Sequence, residues 1–185
     1  DNGTILKTTD GGPTWTSESS GTTNTLRSIQ MVDANTGWTV GENGTILKTT
    51  DGGSSWTPQT SGITLTLESI HMVDANTGWT VGFSTNTSGT MLKTTDGGSN
   101  WSSQYPAPFL NLYSIHMLDV NTGWTVGFSA NTNGTILKTT DGGSTWTYPT
   151  SGGTAHNLES IHMVDANTGW TVGDNGTLLK TTDGG

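Results

Sequence analysis

The chain contains no cysteine, and its six basic residues are outnumbered by fifteen acidic ones in 185, giving a net charge of −9. Without thiols there is no disulfide framework, no thiol catalysis and no thiolate metal centre. The scarcity of Lys and Arg excludes nucleic acid and anionic membrane as principal partners, because both are held by clustered cations. Nothing approaches about 18 consecutive apolar residues, so no membrane insertion is expected. A 3.6-residue hydrophobic period is missing as well, which excludes a helical fold. Hydrophobic residues make up only 29%, so a core must lean on the eight tryptophans. No Gly-x-Ser-x-Gly elbow, phosphate loop or dinucleotide fingerprint is present, and no cofactor is expected. The chain opens at Asp1 with neither Met nor a signal peptide, the expectation being a processed product or an excised piece.

What is present is one unit written repeatedly over residues 1–185. The string G-T-[IML]-L-K-T-T-D-G-G begins at Gly3, Gly44, Gly89, Gly134 and Gly176, at spacings of 41, 45, 45 and 42 residues. N-T-G-W-T-V-G ends at Gly41, Gly82, Gly127 and Gly173, and L-x-S-I-[QH]-M-[VL]-D starts at Leu26, Leu67, Leu112 and Leu158. A period in the low forties with turns every 8–12 residues predicts an all-β propeller of four-stranded antiparallel blades, about four per chain. A β-solenoid of similar period would not need two tight hairpin turns per unit. The predicted strands of the first unit are A (26–33), B (38–41), C (45–50) and D (around Trp56 and Thr57). Strand A should alternate, while Trp38 with Val40, and Ile46 with Lys48, should share faces.

Thr49-Thr50-Asp51-Gly52-Gly53-Ser54-Ser55-Trp56 fits the Asp-box pattern [S/T]-x-D-x-G-x-x-W, as do residues 8–15, 94–101 and 139–146. With G-W-T-V-G and G-T-I-L-K-T-T, the whole chain resembles the photosystem II stability/assembly-factor-like repeat family, within the bacterial neuraminidase-repeat propellers. The resemblance implies a propeller, a binding or assembly role, and an extracellular or cell-surface location in a secreted bacterial protein. It implies no sialidase activity, because that chemistry uses three arginines and this chain has one, Arg27. The same scarcity departs from the photosystem-assembly members, whose partner surface is rich in arginine.

Within the repeat, the Asp-box carboxylates Asp10, Asp51, Asp96 and Asp141 are read as turn acceptors at the C–D hairpin. Asp33, Asp74, Asp119 and Asp165 in D-[AV]-N-T-G are read as Asx turns, since the later ligands of a calcium loop are missing. Together with Asp183, these are nine of the fifteen carboxylates, so most of the acidity is architectural. The tryptophans are read as inter-blade packing, and the strand-C lysines as packed stems with solvated heads.

Differences between units fall on one face, that of the B–C loops and D–A linkers. The B–C loop is short at Glu42-Asn43 and Asp174-Asn175 but four residues longer at 83–88 and 128–133. That face carries the binding candidates Phe83, Asn86, Tyr105, Phe109, Phe128, Asn131 and Tyr148, a surface suited to a protein or glycan ligand. The second residue of strand A gives a channel-mouth ring of Arg27, Glu68, Tyr113 and Glu159, in which Glu68 and Glu159 would mimic a glycosidase acid pair. About 10 Å deeper, Gln30, His71, His116 and His162 form a second ring, whose three imidazoles suggest a Zn²⁺ or Ni²⁺ site. Packing between blades is the plainer account of both rings.

The strand inventory is uneven, with five C strands against four of each other type. The ring is expected to close by joining the partial blade 1–17 to 158–185. The surplus C strand would then be displaced, or would lead to self-association. The function expected is a non-enzymatic binding or assembly module. A purely architectural repeat is the alternative, and a glycan-active or metal-dependent enzyme a further one.

Overall fold

β-Branched and aromatic residues alternate between Asp/Gly/Asn clusters throughout the repeat, and each such run becomes a short strand. The computed structural model describes residues 2–85, 88–104, 110–129, 133–149 and 154–185. β1 (Ile5–Lys7) and β2 (Thr16–Glu18) pair with each other as an isolated hairpin. Blade one is β3 (Leu26–Met31), β4 (Gly37–Gly41), β5 (Ile46–Thr49) and β6 (Thr57–Gln59). Blade two is β7 (Leu67–Met72), β8 (Gly78–Thr85), β9 (Ser88–Thr94) and β10 (Ser102–Gln104). Blade three is β11 (Leu110–Met117), β12 (Gly123–Ser129) and β13 (Asn133–Thr139), with a Lys138–Thr147 bridge in the fourth position. Blade four is β14 (Leu158–Met163), β15 (Gly169–Gly173) and β16 (Leu178–Thr181). Every ladder is antiparallel between sequence neighbours, as a propeller meander requires.

The core lies between blades. Trp38, Val40 and Ile46 of blade one pack with Leu67, Ile70, Met72 and Leu92 of blade two. Equivalent clusters join blades two and three, and three and four. The indole Nε1 of Trp38 donates to the Gly97 carbonyl at 3.3 Å, and the Lys48 ammonium donates to the same oxygen at 2.9 Å. Trp79 and Lys93 share the Gly142 carbonyl in the same way, and Trp124 and Lys138 share that of Gly184. Each ammonium also lies 4.9–5.1 Å from the centre of its tryptophan ring. The heads of Lys48, Lys93 and Lys138 therefore do not sit free in solvent as the sequence suggested. They hold the Asp-box turn of the following blade.

That turn is rigid. Asp51 accepts hydrogen bonds from the Thr49 hydroxyl, the Ser55 N–H and the Ser55 hydroxyl at 2.8, 2.9 and 2.6 Å. These bonds, the Ser55 hydroxyl first, hold its carboxyl down at about 2. Gly52 and Gly53 follow at φ of +70° and +89°, values that glycine alone adopts freely. Asp33 accepts the N–H groups of Asn35 and Thr36 at 2.7 and 2.8 Å, an Asx turn that its counterparts repeat.

The innermost strands depart from simple alternation. In each, the register shifts by one residue, between Leu26 and Ser28, Leu67 and Ser69, Leu112 and Ser114, and Leu158 and Ser160. The bulge places Leu67 and Ile70 on one face despite their three-residue spacing, so both join the inter-blade cluster. It also pulls the backbone close to the final glycine of G-W-T-V-G. A Cβ on Gly82 would stand 2.0 Å from the Thr66 carbonyl oxygen.

Closure of the ring by hydrogen bonds between the chain ends is not shown. Among the described residues, β16 occupies the third position of blade four, with Trp170 opposite Lys180, while β1 pairs only with β2. The slot that β1 would take in blade four is filled by an almost identical strand.

Because the bulge leaves no room at Gly82, Gly82→Ala should cost roughly 1–3 kcal/mol of stability. Urea unfolding followed by tryptophan fluorescence checks this, and an unchanged midpoint would contradict the packing described.

Candidate functional site

The four expected mouth residues, Arg27, Glu68, Tyr113 and Glu159, are the bulge residues of β3, β7, β11 and β14. A bulge residue has no cross-strand partner, so its side chain is re-aimed and can change without disturbing the ladder. Arg27 is paired with Glu42 of the first B–C loop at 2.8 Å. Burial pushes the Glu68 carboxyl up, Glu42 and Glu159 add to this, and Arg27 opposes it. One Glu68 oxygen, Oε1, is buried without a hydrogen-bond partner. Burial and then Asp174 raise Glu159, while burial followed by Glu159, Glu68 and Asp174 raises Tyr113. The mouth thus gathers four carboxylates linked in series, Glu42 and Glu159 to Glu68 and Asp174 to Glu159, with one guanidinium at the Glu42 and Glu68 end. A cation placed there would relieve both their repulsion and the desolvation of Glu68.

The second ring is assembled as a row of tilted and edge-on imidazole contacts. His71 and His116 lie with ring centroids 4.9 Å apart, and His116 and His162 at 4.8 Å. Gln30, at the same position of blade one, brackets Met72 by donating to its carbonyl at 2.9 Å and accepting its N–H at 2.6 Å. Among the described residues, no group of three or more His, Cys, Asp or Glu is arranged to hold a metal ion. The imidazoles of His71, His116 and His162, expected as metal ligands, instead meet one another at interplanar angles of 53° and 76°. Burial, then His116 and His162, push His71 down to about 4, and burial with His162 lowers His116.

Of the loop aromatics, Phe83 is 36% exposed and meets Tyr113 edge-on at 5.9 Å between centroids, joining the variable loop to the mouth. Phe128 is half-buried opposite Asn111 in the β11–β12 ladder. Tyr148 is exposed beside Thr147, at the outermost strand position of blade three, and does not share the mouth's inner position. Asn86, Tyr105, Phe109 and Asn131 lie outside the described residues.

Sequence reasoning missed the latches on the short loops. Asn43 donates to Asn24 at 3.1 Å, and Asn175 bonds the His156 ring nitrogen at 3.0 Å, tying B–C loop to D–A linker. Their signal is the Asn-Gly pair, with Asn43 and Asn175 at φ of 55° and 54°.

Compared with known proteins, the chain matches the model of a family described as photosynthesis system II assembly factor YCF48 over residues 1–57, 14–107 and 108–185. That description overturns the extracellular, secreted-bacterial location expected earlier, since photosystem II assembly factors are not secreted proteins. No curated protein matches the sequence. A solved structure of YCF48 bound to D1 peptide aligns with a TM-score of 0.57 at 21% identity, covering 88% of this chain and 80% of that one. YCF48 from Cyanidioschyzon merolae aligns with a TM-score of 0.57 at 21% identity, covering 86% of this chain and 67% of the other. The GH74 enzyme of Niastella koreensis gives a TM-score of 0.74 at 18% identity, covering 98% of this chain but 33% of that enzyme. At these identities the solved structures speak for the propeller fold alone.

The histidine row makes stability depend on pH. His71 is neutral in folded and unfolded chains above about pH 6.5, and below that the unfolded chain takes the proton first. Its contribution is therefore complete above about pH 6.5 and lost as pH falls towards 4. Urea unfolding at pH 7 and pH 5 should differ by about 2 kcal/mol from this group. His71→Gln, which installs the residue found at position 30, should flatten that slope; an unaltered slope would contradict the assignment.

Proposed function

Because the chain belongs to the photosynthesis system II assembly factor YCF48 family, we propose that it is a non-catalytic protein-recognition propeller. It holds a segment of a partner polypeptide over the channel mouth and the loops around it. The observation that carries this reading is the bulge position. Its neighbours Leu and Ser are the same in all four blades, whereas the bulge residue is Arg27, Glu68, Tyr113 or Glu159. A repeat copied this faithfully, yet varied at the one mouth position free of the ladder, has the form of a recognition surface on a constant scaffold.

The mouth also indicates the partner's chemistry. Glu42, Glu68, Glu159 and Asp174 form a chain of interacting carboxylates, and the one cation among them, Arg27, is already engaged by Glu42. The arginine-rich surface of other assembly-factor members has no counterpart here. The segment recognised is therefore basic, with a Lys or Arg head at Glu68 and an apolar neighbour against Phe83 and Tyr113. The relative crystallised with a D1 peptide supports a peptide as the class of ligand.

Fluorescence anisotropy with a charge-graded peptide library tests this. Basic peptides should bind, more weakly as salt rises. The double substitution Glu68→Gln with Glu159→Gln should weaken them about tenfold or more, on the order of 1.4 kcal/mol. Equal binding by the double variant, or binding to a glycan array in place of peptides, would refute the proposal.

A further inference from the structure

Every internal junction of the chain is built from the same two faces. Blade four exposes one of them, and blade one exposes part of the other, where Ile5 of β1 covers Leu26 and Leu47 but not the rest of the face. In the blade one–two junction, Trp38, Val40 and Ile46 meet Leu67, Ile70, Met72 and Leu92. On blade four, the counterparts of the first three are Trp170, Val172 and Leu178, which are 37%, 44% and 65% exposed. On blade one, the counterparts of Ile70 and Met72 are Ile29 and Met31, exposed by 55% and 41%. The two open faces are the complementary halves of one junction.

The tryptophans make the same match. Trp146 packs with Trp79 of the preceding blade, and Trp101 packs on the cluster of Trp38. Beside Trp124, the next in this series, lies a cleft of about 340 Å³ lined by Ile136, Ile161, Met163, Leu179 and Gly185. Trp15, which ends the first Asp box, is 58% exposed on the β1–β2 hairpin. Residues 1–12 repeat residues 174–185 at every position but one, Ile5 against Leu178. Whatever β16 pairs with, β1 can pair with too. The hairpin in addition brings its own fourth strand, β2, which blade four does not have among its described residues.

We propose that copies of this chain join head to tail. The β1–β2 hairpin of one copy completes the blade begun by β14 and β15 of another, replacing β16. Its Trp15 enters the cleft beside Trp124, Lys7 takes the place of Lys180 over the Trp170 ring, and Trp170 and Val172 cover Ile29 and Met31. This junction reproduces contacts the chain already makes between its blades, and it buries six exposed apolar side chains: Leu6, Trp15, Ile29, Met31, Trp170 and Val172, while the already buried Ile5 takes the place of Leu178. The occupant of each open face is a second copy of the chain, whose matching face has the required residues in the required order.

Sedimentation velocity and light scattering on the full chain test the proposal. The mass should rise with concentration to at least twice 19.3 kDa. Trp170→Glu and Ile29→Glu should each abolish the larger species while leaving the far-ultraviolet circular dichroism unchanged, since both side chains are exposed. Mixing the two variants should restore an equimolar dimer, because each brings one intact face of the junction. A monomer of 19.3 kDa at every concentration overturns the proposal. So does an assembly that neither substitution disturbs, or a mixture that stays monomeric.

Discussion

The structure depends on one shared acceptor. At three T-T-D-G-G turns a single glycine carbonyl, of Gly97, Gly142 or Gly184, receives both an indole N–H and an ammonium from the blade before it, as Gly97 does from Trp38 and Lys48. Short strands and a small apolar fraction leave little else to fix the angle between blades. The shared bond supplies direction where hydrophobic contact supplies only adhesion, and it works because the turn carrying the carbonyl is itself rigid. The aspartate that organises the turn thus controls the pitch of the next blade, although it never touches the site.

The channel mouth follows from the bulge. One extra residue in each innermost strand returns Leu, Ile and Met to the same buried face and leaves a side chain over the axis with no ladder to satisfy. The glycine opposite is the corresponding requirement, since a Cβ there would collide with the chain that the bulge pushes forward. Scaffold and site therefore share one irregularity. Its inner edge is apolar and constant, its outer edge polar and variable.

Much of this was legible in the sequence. Four blades, their strand order, the turn role of the aspartates and the packing role of the buried tryptophans follow from repeats and spacing. The bulge was written in L-x-S-I-x-M, where Leu and Ile stand three apart, a spacing that strict alternation cannot place on one face. Strand A was nevertheless read as alternating. The lysine contacts were harder, because Lys48 and its acceptor are 49 residues apart and no local pattern links them. The histidines were read as neighbours but not as a row of tilted and edge-on rings, since spacing gives proximity and not ring orientation. Closure is hard to read for a different reason: two strands of nearly the same sequence compete for one slot, and pattern alone does not rank them.

The bulge carries one more consequence, for how such a protein changes over generations. A side chain outside every ladder and every inter-blade cluster can be exchanged with little effect on folding, so selection on binding and selection on stability act on different positions. Arg27, Glu68, Tyr113 and Glu159 already differ as widely as side chains do, cation, anion and phenol, on one unaltered frame. The repeat thus offers four separately adjustable letters around a single opening, and gene duplication copies the frame without fixing the word.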